Sequence, residues 1–496
     1  MMKLIKRTSR IALLLLTTIQ MAWAQHGMRQ EAKYAFLIPM TVNNDLIGHA
    51  YVYGLDKVSK DSNSFALEIF DEYLHDVGEK KIMATSTSVF EKAAFNGQEI
   101  VVKFIDAKNK NLRYVFLNQK AEITFDTLVS INEKLTPYVN HKNYIPNSIP
   151  SLPNIGVFDY FQKTKNGKAK GCVNFISNDH KFWEYEQDEE SNINYLTGNK
   201  TLTVNTLFRY RKNKLGNDAR TYILGLSTTG GMPIFETDIN AEDDVCIFPI
   251  AAHVNDKEIE VISQFTRKPT RFGRIKYGLV IHHLDLNGRL IKTDFNEFTQ
   301  TMVLDSVVKK HKLLQYSYLF FHKAVKLKNG NWLTACEQLR RTYPDMVLDR
   351  KLKTIYNKKT MCLFEIKPNA DVVNIHVEPN KEDGVQLNFG FNNFPHHGAL
   401  SILQRDRMDI SYFIQDYSSP NDKISFVFTD VNSRARKISL GNVLYNNGEF
   451  KTDRFNIPLF SSATRINILP ARFGHVFLFK FDPYAGFDFD NIKFNF

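Results

Sequence analysis

Glu184, Glu186, Asp188, Glu189 and Glu190 crowd five carboxylates into seven residues, and carboxylate oxygens are the donors a hard cation such as Ca²⁺ takes. The stretch lacks the alternating Asp/Asn and the Gly of a calcium loop, so it reads as a solvated loop, as does Asn240-Ala241-Glu242-Asp243-Asp244. Asp285-Leu286-Asn287-Gly288 opens like a calcium loop but has no bidentate Glu at the right distance downstream, and a tight hairpin accounts for it. His282-His283 and His396-His397 are adjacent pairs. Neighbours on a strand point to opposite faces, so neither pair is set to grip one metal. Cys172, Cys246, Cys336 and Cys362 lie far apart, which excludes a zinc ribbon. No metal and no cofactor is therefore expected. Each cysteine sits in an apolar strand-like run, and packed thiols and disulfides both stay open.

Nucleophile and phosphate motifs are missing too. The chain has no HExxH, no GxSxG elbow and no GxxxxGK[ST] loop. The glycine-flanked serine of Gly225–Gly231 has the wrong spacing and reads as a turn. Trp183 and Trp332 remain as candidate ligand-binding residues, because an indole at a loop tip can stack on a sugar ring; Trp332 follows the turn Asn329-Gly330-Asn331. Packing in a β core is the competing role for both.

The basic residues are clustered: Arg209, Arg211, Lys212 and Lys214; Arg267, Lys268, Arg271, Arg274 and Lys276; Lys309, Lys310 and Lys312; Arg434, Arg436 and Lys437. Such clusters suit an anionic partner such as lipopolysaccharide, acidic glycan or nucleic acid. The preferred reading is solvated loops and strand edges where Lys and Arg discourage edge-to-edge pairing. The formal charge of the chain is +11, to which its first 24 residues contribute Lys3, Lys6, Arg7 and Arg10.

Those 24 residues have the build of a cleavable export signal: a basic start, an apolar run from Ile11 to Ile19, and Ala22-Trp23-Ala24 before the expected cut. The run is too short to span a bilayer, and no later stretch is long and apolar enough, so no transmembrane segment is expected after cleavage. The expected location is the periplasm or the cell exterior.

The elements that must position any site are hairpins. Phe65 to Ile82, Tyr222 to Ile239, Leu279 to Phe295, Cys362 to Pro379 and Val476 to Ile492 each run from β-formers through a turn rich in Asp, Asn, Gly or Pro into a second extended stretch. Partner hairpins lie between them: Ala93 to Asp106, Ala251 to Phe265 and Ala324 to Leu339. Two hairpins make a four-stranded unit. Aromatics at 13% favour strands, and only Met302 to Leu314 and parts of Pro344 to Tyr356 have helical spacing. The pattern predicts an all-β chain, a β-propeller of six to eight four-stranded antiparallel blades spanning 25–496 as one domain. Tandem β-sandwiches are the alternative, and an outer-membrane barrel fits poorly because many strands are continuously apolar or charged on both faces. Ring closure is expected by pairing a strand near Tyr34 to Met40 with the C-terminal strands.

The stretches AAFNGQEIVVKFIDAKNKNLRYVFLN, KNGNWLTACEQL and ARFGHVFLFKFDPY resemble an uncharacterised family of exported, β-propeller-like proteins from Bacteroidota. That resemblance implies export and a repeat fold without implying a reaction. The functional expectation is a non-enzymatic binding or interaction scaffold of the cell envelope, its partner a glycan or an envelope protein and not nucleic acid. The alternative is a propeller glycoside hydrolase or lyase acting on polysaccharide.

Overall fold

The structure, a computed structural model, describes residues 35–42, 45–131, 134–135, 149–165, 168–213, 216–240, 245–267, 276–298, 317–342, 355–379, 411–416, 419–432, 437–458, 465–482 and 486–495. Among these residues there is no helix; the strands sort into eight antiparallel sheets, each made of strands consecutive in the chain. Blades 1 to 8 cover 35–85, 88–130, 134–186, 191–238, 245–297, 317–379, 411–458 and 465–493. Six blades have four strands, and blade 8 has three described ones. In blade 3 the innermost strand is split into Lys134–Leu135 and Ser151–Leu152, both paired to Gly156–Lys165. The helical spacings at Met302 to Leu314 and Pro344 to Thr354 lie outside the described residues.

Burial follows strand position. Ile100–Asp106, the second strand of blade 2, is buried along its whole length, whereas the fourth strand, Ile123–Ser130, never buries a residue fully. A strand covered on both faces by neighbouring blades needs a continuous apolar run, and one at the perimeter needs only alternation. The first strands carry a bulge: Glu91, Leu196, Ile250 and His322 each stand without a partner in the ladder to the second strand. The extra residue bends the strand and raises its twist, as the crowded centre of a radial array requires.

The apolar core is divided among the seams between blades. One buried cluster joins blades 1 and 2, and others join 2 and 3, 3 and 4, 4 and 5, 5 and 6, 6 and 7, 7 and 8, and 8 and 1. Eight seams for eight blades make a closed ring, a β-propeller at the upper end of the expected blade number. Separate sandwiches would pack sheets in pairs, and a barrel would be one continuous sheet.

The expected mode of closure is overturned. Ala35–Val42 pairs with Asp45–Ser59 as the first strand of blade 1, and the strands of 465–493 pair only with each other among the described residues. Side chains close the ring instead. His49 stacks on Phe477 at 4.5 Å, and Leu37, Tyr51 and Phe70 pack with Ala471 and Phe477.

Candidate functional site

The turn between third and fourth strands recurs around the ring with one residue in the left-handed region: Leu74, Ala121, His180, Gly231, Gly288 and Ala370 in blades 1 to 6. Each such turn from blade 2 to blade 6 sits against the outer strand of the blade before it. His180 stacks on Phe125 at 4.3 Å. Thr237 donates to the Gly288 carbonyl at 2.5 Å, and Asn296 to the Ala370 carbonyl at 2.9 Å. A Cβ on Gly288, whose φ is +81°, would fall 2.2 Å from the Phe235 ring, so glycine is needed there for both backbone and contact. Asn287-Gly288 is thus a hairpin turn, as its spacing indicated.

Trp183 belongs to this set of clips. It is half-buried, stacks on Phe175 at 5.1 Å, donates Nε1–H to the Thr228 carbonyl at 3.1 Å, and lies over Gly231 of blade 4. Trp332 is in the core between blades 5 and 6, 1% exposed. Its Nε1–H donates to Glu260 at 3.3 Å while Lys326 lies 5.0 Å over the ring and pairs with Glu260 at 2.5 Å. The two tryptophans therefore sit in different seams and do not converge on one cleft.

The remaining candidates are placed as follows. His282 is fully buried and burial holds its pKa down at about 4; His283, on the other face, meets Glu258 at 3.4 Å and Asp294 at 3.6 Å. His396-His397 and 241–244 lie outside the described residues. Glu186 pairs with Lys163 at 3.0 Å, Glu184 binds the same ammonium, and Glu189 reaches Arg209 at 3.5 Å, so these acids answer local cations. No cluster fit to hold a metal ion occurs among the described residues. All four cysteines are free thiols; Cys336 and Cys362 are buried and stand opposite each other in register. Burial pushes the Cys172 thiol up to about 12.

Sequence reasoning missed a buried ionic network between blades 2 and 3. Lys103 is 0% exposed and pairs with Glu91 and Asp159, each at 2.6 Å. Tyr114 donates to Asp159 at 2.6 Å, and Asn174 to the Tyr114 hydroxyl at 3.1 Å. Lys92 approaches Asp159 at 3.7 Å and donates to the Tyr160 carbonyl at 3.1 Å. Burial alone would lower the Lys103 pKa; the attraction of Asp159 and then Glu91 outweighs it, and the pKa ends above its ordinary value. Burial first, then Asp159, push the Tyr114 hydroxyl well up. Two ammoniums against two carboxylates leave the network neutral. Closed to solvent, it holds blade 3 to blade 2. The only legible signal was Lys103 within the apolar run IVVKFID.

The two rims of the ring differ. In a four-stranded meander the first-to-second and third-to-fourth turns share one rim, and the second-to-third turns share the other with the connections between blades. The turn rim is closed by short capped turns: Asn96 accepts from the Glu99 N–H at 2.7 Å, Asn199 from Leu202 at 2.9 Å and Asn255 from Glu258 at 2.8 Å. On the connection rim the central strands of blades 3 and 4 outrun the fourth strand. In blade 4 the first strand pairs no further than Arg209 and the fourth no further than Tyr222, yet the central ladder continues to Asn213 and Gly216. In blade 3 it runs on to Lys165 and Lys168, past the fourth strand's last pair at Cys172.

Eight self-contained antiparallel blades packed face to face define the class: this is an eight-bladed β-propeller. The chain belongs to a family of unknown function, DUF6770, whose pattern matches residues 5–483. A search of curated proteins found no match in sequence. Among solved structures the chain is similar to the β-propeller domain of the Trilobed protease from Pyrococcus furiosus, described as having an open velcro topology (11% identity, 85% of this chain and 95% of that one, TM-score 0.36). It is also similar to Drosophila Semaphorin 1b, extracellular domains 1-2 (9%, 83% and 86%, 0.31), and to the α-L-arabinanase of Penicillium chrysogenum (9%, 82% and 93%, 0.28). These likenesses carry no statement about chemistry.

Proposed function

We propose that this chain is an exported, non-enzymatic binding scaffold of the cell envelope that meets its partner with the connection rim. One observation carries the reading: on that rim the central hairpin of blade 4 projects past both flanking strands and that of blade 3 past its fourth strand, while turns on the opposite rim are short and capped. Projecting hairpins on a rigid ring are the usual means by which repeat folds present a broad recognition surface. The leader-like first 24 residues support export. Asp71, Asp106, Asp179 and Glu378 are displaced downward because hydrogen bonds to the carboxylate outweigh the opposing effect of burial, away from the range of a general acid at neutral pH.

The test is binding of purified protein to envelope polysaccharides and envelope proteins. The wild type is compared with a variant whose blade 3 and blade 4 central hairpins are cut back to the level of Cys172 and Tyr222. Binding by the wild type and its loss in the shortened variant, with the melting transition retained, is the expected result. Turnover of a glycan, peptide or ester, abolished by a single carboxylate or serine substitution, overturns it.

A further inference from the structure

We infer that Cys336 and Cys362 form a disulfide as blade 6 folds, and that the closed ring then keeps the pair in whichever redox state it held on closure. Cys336 lies on the second strand of blade 6, Trp332–Thr342, and Cys362 on the third, Ile355–Ile366; the antiparallel ladder sets them directly opposite each other. Residues so placed point to one face and stand about 4.5 or 5.5 Å apart at Cα, inside the roughly 4.4–6.8 Å that a disulfide spans. Both side chains belong to the buried cluster between blades 5 and 6, with Trp332 and Phe364. The Cys336 and Cys362 thiols already share a hydrogen bond. Bridging therefore asks for a small closure of two neighbouring sulfurs and no rearrangement of the sheet.

The fold selects this pair from the four cysteines. Cys172 sits in blade 3 opposite Phe161 and Glu186, within the seam between blades 2 and 3, and Cys246 sits in the first strand of blade 5 opposite Thr266. Cys336 and Cys362 are the two that share a sheet. The ladder between their strands slips just beyond them, where Gln338 faces Thr360 but Leu339 faces Lys358. A slip of one residue turns every side chain of a strand to the opposite face. A covalent tie placed before that irregularity holds Trp332, Phe364 and Ile366 in the seam they fill.

The bond is made by two exchanges with a small-molecule or protein disulfide as oxidant. One cysteine thiolate attacks a sulfur of the oxidant and expels its first thiol, giving a mixed disulfide. The second thiolate then attacks the chain's own sulfur in that mixed disulfide, which forms the Sγ–Sγ bond and expels the second thiol. Two electrons and two protons pass from the cysteines to the oxidant, which leaves as two thiols. Both steps need a thiolate, and burial, followed by the hydrogen bond with Cys362, pushes the Cys336 thiol well above its ordinary value. Cys336 and Cys362 are both closed off from solvent in the finished ring. Exchange therefore belongs to the interval before blade 5 packs on blade 6, and the packed seam afterwards shuts out oxidant and reductant alike. Export would carry the chain through an oxidising space during that interval, while the pairing itself is a property of the fold.

The test refolds the full mature chain from denaturant in mixed reduced and oxidised glutathione, blocks the remaining thiols, and maps linked peptides by mass spectrometry. A bridge between Cys336 and Cys362, with Cys172 and Cys246 recovered as blocked thiols, is the expected result. A variant carrying Cys172→Ala and Cys246→Ala still loses the mass of two hydrogens on refolding, whereas Cys336→Ala with Cys362→Ala does not. The bridged wild type melts a few degrees above the reduced one, and the Cys336→Ala with Cys362→Ala variant shows no difference between the two conditions. Native reduced protein given oxidised glutathione without denaturant keeps both thiols, and native bridged protein keeps its bridge in reduced glutathione. Refolded chain without the bridge, a bridge that uses Cys172 or Cys246 in its place, or ready oxidation of the native reduced protein overturns the inference. The pairing is read in purified protein, so it stands or falls apart from export and from the scaffold reading.

Discussion

The seam between blades 2 and 3 and the seam between blades 5 and 6 occupy equivalent places in the ring and are filled by opposite chemistry. The first centres on Lys103, Glu91 and Asp159 with Tyr114 beside them. The second centres on Tyr277, Phe298, Phe321, Phe364 and Trp332, with ring contacts such as Phe321 on Phe364 at 5.4 Å. In the ionic seam Lys92 also supplies a donor to the Tyr160 main-chain carbonyl. The first seam is held by a charge-balanced buried network, and the second by packed rings beside the Lys326–Glu260 pair.

Single substitutions at the two seams break that comparison most sharply. Lys103→Met leaves Glu91 and Asp159 buried with one distant ammonium and is expected to cost about 3–5 kcal/mol in denaturant unfolding. Adding Glu91→Leu restores the balance of Lys92 against Asp159 and should recover much of the loss; failure to recover would show that the network is not a charge-balanced unit. Trp332→Ala, in the aromatic seam, is expected to cost about 3–5 kcal/mol through cavity formation. Unlike the Lys103 effect, this loss is not relieved by removing a neighbouring carboxylate.

The seam between blades 8 and 1 adds a pH-dependent case. Burial holds the His49 pKa at about 4, below its ordinary 6.5. A neutral buried imidazole contributes its full stability above about pH 6.5, and that contribution is lost as pH falls towards 4, because the unfolded chain takes up the proton first. The expected loss is on the order of 3 kcal/mol over that interval, read as a falling urea midpoint. His49→Phe flattens this segment of the profile, and His282, buried and held at about 4, supplies what remains. Gly288→Ala is the mildest change. It places a methyl against Phe235 at positive φ and is expected to cost about 1–3 kcal/mol, without dependence on salt or pH.

Fold class was legible because turn chemistry and strand composition are local. Asn287-Gly288 and the Asn-led turns at 96, 199 and 255 mark hairpins, and repeated hairpins leave few ways to cover both faces of every sheet. Closure was not legible, since the contact of His49 with Phe477 joins residues far apart in sequence and has no strand signature. Trp332 was ambiguous because Asn329-Gly330-Asn331 promised exposure, while the indole turns inward to Glu260. The basic clusters were visible as residues.

Among the described residues, blades 1 and 8 meet through side-chain contacts and share no strand ladder. Tension applied across these two blades would load the packing of Phe477 and Ala471 against Leu37, Tyr51 and Phe70. The outermost sheets would then peel away one after another, each opening setting free the length of a single blade.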